Sequence, residues 1–329
     1  MLMKAVVPKP DHSGDLEIRE VPKPEPGGGE IRVRVRASGI NRADLMQAKG
    51  NYPAPAGAPA DILGLEFAGE VESLGPNTTG LWNVGDRVFG IVGGGGMAEY
   101  LVLPERQAVA IPPNLDFEQA AAVPEVFITA HDALVHQGRL QAGERVLIHA
   151  VGGGVGSAAV QIARAMGCVV FGTSRTDWKL DKARVLGVDV PINTREQETA
   201  SIVREHTNGQ GVHVLIDFLG GSAMSSNLDA MAEQGRLVVV GLLTGPKAEV
   251  NLRMLMSKRL SLVGTVLRAR PLEEKIAATH RFAETVVPWL ASERVRPVLD
   301  QVFPLNEVQA AQQRMASNEG FGKIVLQIA

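Results

Sequence analysis

The sequence predicts an α/β protein in which a doubly wound parallel sheet is joined to a separate β-rich part. From about residue 117 onward, strand-like and helix-like segments alternate, as in repeated βαβ units with helices on both faces of the sheet. Before that point, short apolar–polar alternations separated by Gly and Pro indicate β structure with many turns. The 329 residues are about twice the length of a typical domain, so two domains are expected.

The β-rich first third is clearest around residues 31–37. There Ile31, Val33 and Val35 alternate with arginines, which predicts a half-buried strand whose basic side chains face solvent. Further strands are expected within 62–74, 87–92 and 97–102.

The alternating region is then predicted element by element. The expected strands are 145–149, 169–173, 212–217, 236–241 and 260–267, and the expected helices are 117–123, 128–137, 156–166, 178–186, 196–206 and 224–232. Helices at 272–290 and 305–317 follow, and a last strand at 323–328 is expected to rejoin the first part of the chain.

Composition and charge exclude several classes of function. Lys plus Arg total 33 against 36 for Asp plus Glu, a net charge of -3, which makes nucleic acid an unlikely partner. The single cysteine, Cys168, excludes an intrachain disulfide and any zinc site built from several thiolates. The most apolar window, 146–163, is broken by glycines, which argues against a membrane span. A cytoplasmic location is expected.

A glycine-rich turn lies between the apolar strand 146–148 and the helix that follows it. Glycines there allow a tight turn and close approach of a pyrophosphate, and the helix N-terminus supplies free N–H donors. The position at the head of the βαβ series therefore predicts a Rossmann dinucleotide site. Its expected members are Ala150, Gly152, Gly153, Gly154, Val155 and Gly156.

The second strand of this region indicates which dinucleotide binds. Its end carries Thr173, Ser174 and Arg175 where an NAD-specific site carries an acid for the ribose 2′-hydroxyl. Ser174, Arg175 and Lys179 are suited to a 2′-phosphate, although Asp177 weakens the positive field. The predicted cofactor is NADPH.

Eight motifs distributed in order along the chain suggest a family. They are GINRAD at 39–44, ILGLE at 62–66, VGDRV at 84–88, AAAVPE at 120–125, VLIHA at 146–150, DFLGG at 217–221, GTVLR at 264–268 and GKIV at 322–325. With these motifs the chain resembles the zinc-independent quinone oxidoreductases of the medium-chain dehydrogenase/reductase superfamily, relatives of ζ-crystallin, and most of all their p53-inducible branch. The resemblance implies a GroES-like substrate domain at 1–125, a Rossmann NADPH-binding domain at 126–267 and a C-terminal segment, 268–329, that returns to the first domain.

The metal sites of related enzymes are absent from the sequence. Zinc-dependent members of the superfamily carry a cysteine near Asn41 and a histidine near Leu65, and this chain has neither. No metal is therefore expected. Without a Lewis acid to stabilise a simple alkoxide, a conjugated acceptor such as a quinone or enone is favoured, because hydride addition leaves a delocalised anion.

The resemblance also implies site residues. Asn41, Asp44 and Thr129 are expected near the nicotinamide, with Asp44 also suited to orienting the Asn41 turn. Tyr52 is expected either to hydrogen-bond the acceptor oxygen or to pack in its proline-rich loop. Additional cofactor contacts are expected from Asn193, Leu219, Gly241, Leu242, Leu267, Arg268 and Lys323. His149 is interpreted as a core histidine and Cys168 as inert.

The predicted function is NADPH-dependent, metal-free reduction of quinones or related conjugated carbonyls. An enoyl or alkenal double-bond reductase is the enzymatic alternative, and a crystallin-like NADPH-binding protein without important turnover, with RNA contact by family analogy, is the non-enzymatic one. The segment 260–267 is apolar, has no proline and no charge, and is the last strand of the series. A homodimer joined through this sheet edge is expected.

Overall fold

The computed structural model describes residues 1–11 and 13–328, and within them the chain forms two compact units. Unit 1 comprises residues from Met1 to Ile128, Leu267–Glu293 and the residues from Pro297 onward. Unit 2 comprises Thr129–Val266 and Arg294–Arg296. The boundaries expected from the sequence lie at 125/126 and 267/268.

The secondary structure of the described residues is as follows. The strands are β1 Leu2–Pro8, β2 Leu16–Pro22, β3 Glu30–Ile40, β4 Glu66–Leu74, β5 Arg87–Ile91, β6 Tyr100–Pro104, β7 Val109–Ala110, β8 Arg145–Ile148, β9 Val169–Ser174, β10 Val190–Asn193, β11 Val212–Asp217, β12 Met231–Val239, β13 Ser261–Gly264, β14 Leu299–Pro304 and β15 Lys323–Gln327. The helices are α1 Arg42–Ala48, α2 Phe117–Ala121, α3 Pro124–His131, α4 Gly154–Ala165, α5 Asp177–Leu186, α6 Thr199–His206, α7 Met224–Ala230, α8 Leu252–Ser257, α9 Leu272–Thr285, α10 Val287–Ala291 and α11 Val308–Ser317.

Unit 1 is built on a sheet that uses strands from both parts of its sequence. The order is β14-β15-β3-β4-β5-β7, β6 also pairs with β3, and β1 and β2 form a separate hairpin. β15 runs antiparallel to β3 with Ile324 opposite Ile40. This register brings Lys323, the first residue of β15, to the end of β3, where the loop into α1 begins.

Strand β3 follows the alternation that the sequence predicts. Ile31, Val33 and Val35 are fully buried in the core of unit 1. Two of the three arginines on this strand form ion pairs, since Arg32 donates to Glu72 and Arg36 donates to Glu70, whereas Arg34 is exposed. The expectation that these basic side chains face solvent therefore holds for Arg34, while Arg32 and Arg36 are engaged by glutamates.

Unit 2 contains the parallel sheet expected from the βαβ alternation. Its order is β10-β9-β8-β11-β12-β13, with each neighbouring pair parallel. The direction of strand addition reverses between β8 and β11, and in such sheets ligands bind at the carboxyl ends of the strands beside this reversal. The glycine-rich turn leaves the carboxyl end of β8, so it lies at this switch point.

Several elements differ from the sequence-based expectation. β1, β2, β7, β10 and β14 are additional strands, and β13 is shorter than the expected 260–267. The expected helix 272–290 is two helices, because Pro288 lacks the N–H that would continue α9 through the break after Thr285. Among the helices of residues 1–11 and 13–328, not one has both the length and the apolar character that a bilayer-spanning segment requires.

The glycine-rich turn depends on close packing between α4 and β8. A Cβ added to Gly156 would lie 2.4 Å from the Ala150 carbonyl oxygen and 2.9 Å from the Val151 Cα. Both neighbours are backbone atoms, which cannot rotate away. The absence of a side chain at Gly156 therefore lets the first turn of α4 pack directly on the loop that follows β8.

We expect Gly156→Ala to lower the free energy of unfolding by about 1–3 kcal/mol, the usual cost of overpacking. Urea denaturation followed by circular dichroism measures this. The matched control is Gly28→Ala, where an added Cβ would meet nothing closer than 3.7 Å. Equal denaturation midpoints for the two variants would contradict the packing argument.

Candidate active site

The glycine-rich turn of unit 2 is held by its own backbone and by the neighbouring strand. Ala150 adopts a left-handed conformation, with φ 50°. Its carbonyl accepts from the Gly153 N–H at 2.9 Å, and its own N–H lies 3.3 Å from the Thr173 hydroxyl oxygen, which accepts from it. These bonds fix the loop immediately before α4.

A dinucleotide fits this turn. α4 is twelve residues long, and Gly153 caps its start without a side chain, so the first N–H groups have neither an intrahelical partner nor a side-chain cap. Such an N-terminus is suited to a pyrophosphate. Lys179 lies against the same turn, since a Cβ on Gly152 would lie 2.7 Å from its Cδ. The predicted residues 150–156 and Lys179 therefore lie together.

The end of β9 presents polar groups next to this turn. Ser174 is largely buried and Arg175 is exposed. The Thr176 hydroxyl oxygen is buried, and within the described residues it has no hydrogen-bond partner. The Asp177 carboxylate, which follows these residues, accepts a hydrogen bond from the Asn193 side-chain amide at 2.9 Å. Asn193 is thus held by Asp177.

The remaining predicted cofactor contacts of unit 2 lie in the loops after β11 and β12. The Leu219 N–H donates to the Asp217 carboxylate at 2.7 Å, and the Gly241 N–H donates to the Asp217 carbonyl at 3.2 Å. Leu242 is about half exposed. Thr129, at the start of unit 2, is partly exposed.

His149 is a buried member of the same sheet end. Its Nδ1 lies 2.9 Å from the Thr173 hydroxyl and its Nε2 lies 2.7 Å from the Asn227 side-chain oxygen. Burial lowers the pKa of His149, although the Asn227 hydrogen bond and the charge of Asp217 oppose this. The ring of His149 supports the end of the strand. Burial also disfavours the charged form of Cys168 and so raises the pKa of its thiol.

Unit 1 contains a buried ion pair between Lys323 and Glu66. The Lys323 Nζ donates to Glu66 Oε1 at 2.6 Å, to the Ile40 carbonyl at 2.8 Å and to Asn41 Oδ1 at 2.8 Å. Glu66 Oε1 also accepts from the Asn41 amide, and Oε2 accepts from the Glu125 N–H, each at 2.8 Å. Every proton of the ammonium is used, as a buried charge requires.

Asp44 is placed by the start of helix α1. Its carboxylate accepts from the Asn41 N–H at 2.7 Å and from the Gly64 N–H at 3.3 Å. Burial raises the pKa of Asp44 to about 6; Glu66 adds to the rise, while the hydrogen bonds and Lys323 oppose it. Asp44 therefore caps α1 and orients the Asn41 turn, one of the roles considered for it.

Glu125 lies in the first turn of α3 and is partly buried beside this ion pair. Burial, and then the negative charge of Glu66, raises the pKa of the Glu125 carboxyl to about 8. Lys323 and Arg268 oppose the rise, and Asp44 adds to it. The carboxyl is therefore mostly protonated at neutral pH.

Arg268 lies on the other side of this group and makes only neutral contacts. Its guanidinium donates to the Gln47 side-chain oxygen at 2.7 Å, to the Gly93 carbonyl at 2.7 and 2.9 Å, and to the Tyr52 carbonyl at 3.2 Å. It also stacks over the Tyr52 ring at 4.8 Å. Burial, and then Glu125, raises the pKa of Tyr52, whereas Arg268 opposes the rise.

The structure thus separates the predicted residues into two groups. Residues 150–156 with Ser174, Arg175, Lys179 and Asn193 gather in unit 2, whereas Asn41, Asp44, Tyr52, Arg268 and Lys323 gather in unit 1. The side chains of Arg268 and Lys323, which the sequence predicts at the cofactor, are hydrogen-bonded within unit 1. Leu267 is buried in unit 1 as well. The contacts of these residues with a cofactor remain predictions.

Sequence reasoning missed Glu66, Glu125 and Gln47. Glu66 and Glu125 each end an otherwise apolar family motif, ILGLE and AAAVPE. Charged residues in such apolar surroundings are rarely buried without a partner, so the two glutamates carried a signal. Gln47, within the polar sequence of α1, carried none.

Two protein families match the chain. The family described as "Alcohol dehydrogenase GroES-like domain" matches residues 27–113, and "Zinc-binding dehydrogenase" matches residues 154–291. The residues of unit 1 do not fit a catalytic zinc, because Asn41 is an amide and Leu65 is aliphatic. In the part of the chain that the structure describes, no three His, Cys, Asp or Glu side chains form a group that could hold a metal.

Relatives match over nearly the full length. Quinone oxidoreductase from Pseudomonas aeruginosa is 36% identical over 94% of this chain and 95% of its own, and human quinone oxidoreductase is 31% identical over 94% and 93%. The solved CurK enoyl reductase has a TM-score of 0.87 and 27% identity, covering 99% of both chains. The chain therefore belongs to the medium-chain dehydrogenase/reductase superfamily, with quinone oxidoreductases among its relatives along almost its entire length.

Proposed function

We propose that this protein reduces quinones or related conjugated carbonyls with NADPH and without a metal. The observation that carries the proposal is the side-chain chemistry of unit 1, where Asn41 and Leu65 provide no zinc ligands and the Lys323–Glu66 ion pair is held by hydrogen bonds. When bound, the nicotinamide supplies a hydride. An acceptor whose reduced form is a delocalised anion needs no Lewis acid, because positioning and polar side chains stabilise its reduction.

The preference for NADPH rests on the end of β9. Ser174 and the exposed Arg175 occupy the position where an acid would repel a 2′-phosphate, and Lys179 is one turn away. The Asp177 carboxylate accepts a hydrogen bond from the Asn193 amide, which partly stabilises its negative charge. The proposed role of these residues is to hold the 2′-phosphate, while residues 150–156 hold the pyrophosphate.

A double-bond reductase is the second candidate, supported by the structural similarity to the CurK enoyl reductase. Oxidation of NADPH measured with a quinone panel, an enone panel and no acceptor distinguishes the functions. Turnover with quinones supports the proposal, and turnover with enones alone supports the alternative. Tight NADPH binding without turnover would indicate the crystallin-like role. The single cysteine agrees with the proposed cytoplasmic location.

We expect Arg175→Ala to weaken NADPH binding about ten- to a hundredfold, because a charge-assisted contact contributes about 1.5–3 kcal/mol. Binding of NADH should change little. Titration calorimetry with both cofactors measures this, and Arg184→Ala, an exposed arginine farther along α5, is the matched control. Equal weakening of both cofactors would rule out a 2′-phosphate contact at Arg175.

We expect activity to survive exhaustive chelation, since the proposed reaction uses no metal. Metal analysis of the purified protein should find no stoichiometric zinc. Turnover that chelation abolishes and that zinc alone restores would show that a metal site has been overlooked.

We also propose a homodimer joined along β13. This strand is at the edge of its sheet, bonded to β12 alone within the described residues. Leu262 on it is 37% exposed, and Val266 just beyond it is 51% exposed. An apolar edge with unpaired backbone groups is prone to pair with another chain, and a two-fold partner offers the same strand.

Replacing Val263 with Lys should therefore weaken the dimer, because the substitution places a charge on the apolar edge of each copy. Light scattering at micromolar concentration is expected to give a dimer for the unmodified protein and monomers or aggregates for Val263→Lys. A monomer for the unmodified protein at that concentration would end the dimer proposal.

A further inference from the structure

The buried cluster of unit 1 contains more acids than cations. Its carboxyls belong to Asp44, Glu66 and Glu125, and its cations are Lys323 and Arg268. If all three acids were ionised, the cluster would hold an uncompensated negative charge in a buried site, which is unfavourable. One of the three carboxyl groups is therefore protonated and neutral.

Hydrogen bonds decide which acid is neutral. Both oxygens of Glu66 accept from donors, one of them from the Lys323 ammonium. Both oxygens of Asp44 accept backbone N–H groups. Within the described residues the Glu125 carboxyl makes no hydrogen bond and no ion pair. It is the acid with the least stabilisation of its charged form, in agreement with its pKa of about 8.

The same carboxyl is accessible. Glu125 is partly exposed, and its oxygens are not among the fully buried polar atoms of the described chain. The charges that act on this carboxyl are those of Glu66, Lys323, Asp44 and Arg268, and Glu125 in turn acts on Tyr52. A proton carried there can be delivered to a molecule bound at the cluster.

We propose that Glu125 is the general acid that protonates the reduced acceptor. This inference rests on the proposed function. An enone gains a hydride at carbon, and the enolate oxygen then takes the proton of the Glu125 carboxyl as that O–H bond breaks. The hydride, with its two electrons, would come from bound NADPH, which would leave as NADP+. Water returns a proton to the Glu125 carboxylate before the next turnover.

The other polar groups of the cluster are less suited to this role. Lys323 has all three ammonium protons engaged. Asp44, with a pKa of about 6, is mostly ionised at neutral pH. Tyr52 has a pKa raised above its ordinary value of 10.0, which makes it the weaker acid. Tyr52 is therefore assigned to contact the acceptor rather than to supply its proton.

The test is Glu125→Gln, which keeps the size and neutrality of the protonated acid but has no transferable proton. With 2-cyclohexen-1-one we expect kcat/KM at pH 7 to fall about 100-fold, within the usual contribution of a general acid. With 1,4-benzoquinone the fall should be less than about tenfold, because the reduced anion is less basic. Glu118→Gln, on α2 and outside the cluster, is the matched control.

The pH dependence gives a second readout. Because the acid form is needed, wild-type kcat/KM with the enone should be constant below about pH 8 and fall above it, and this fall should be absent in Glu125→Gln. An unchanged rate in Glu125→Gln, or a fall above pH 8 that persists in it, would overturn the proposal.

Thermal stability tests the neutral acid without any turnover. The folded-state pKa of about 8 lies above the ordinary 4.5, so between these values unfolding releases a proton and is favoured. Glu125→Gln should therefore raise Tm at pH 7 and leave it unchanged at pH 4. No rise at pH 7 would refute the neutral acid. A rise in a protein that reduces neither acceptor would contradict the proposed function, and with it the donor role.

Discussion

The arrangement of unit 1 depends on the ion pair between Lys323 and Glu66. Two opposite charges so deeply buried are stable only if each remaining proton and lone pair is also satisfied. Asn41, the Ile40 carbonyl and the Glu125 backbone N–H do this. The pair therefore fixes the end of β3, the start of α1 and the start of α3 with respect to one another.

The two candidate sites use different physical means. The turn of unit 2 is made of backbone: Ala150 is left-handed, Gly156 allows close packing, and the helix start offers N–H groups. Unit 1 instead uses side chains whose charges are balanced against each other, so the state of one group depends on all the others. Substitutions in the turn are expected to alter backbone packing, whereas substitutions near Glu66 are expected to alter the charge balance of the cluster.

The sequence was informative where structure is local. The strand, glycine turn and helix around residues 146–166 were predicted because each signal lies within a few residues, and the edge position of β13 followed from its place in the series. The cluster was not predicted, since Lys323 and Glu66 are 257 residues apart. Strand β10 was missed because it is short and contains Pro191, a residue that edge strands tolerate.

The order of the chain has a consequence for folding during synthesis. Unit 2 is nearly continuous in sequence, whereas unit 1 needs residues made both before and after it. Glu66 leaves the ribosome long before its counter-ion Lys323, and until then its carboxylate has to remain hydrated. The sheet of unit 1 therefore closes around this position only after unit 2 has been translated, which gives unit 2 the opportunity to fold first.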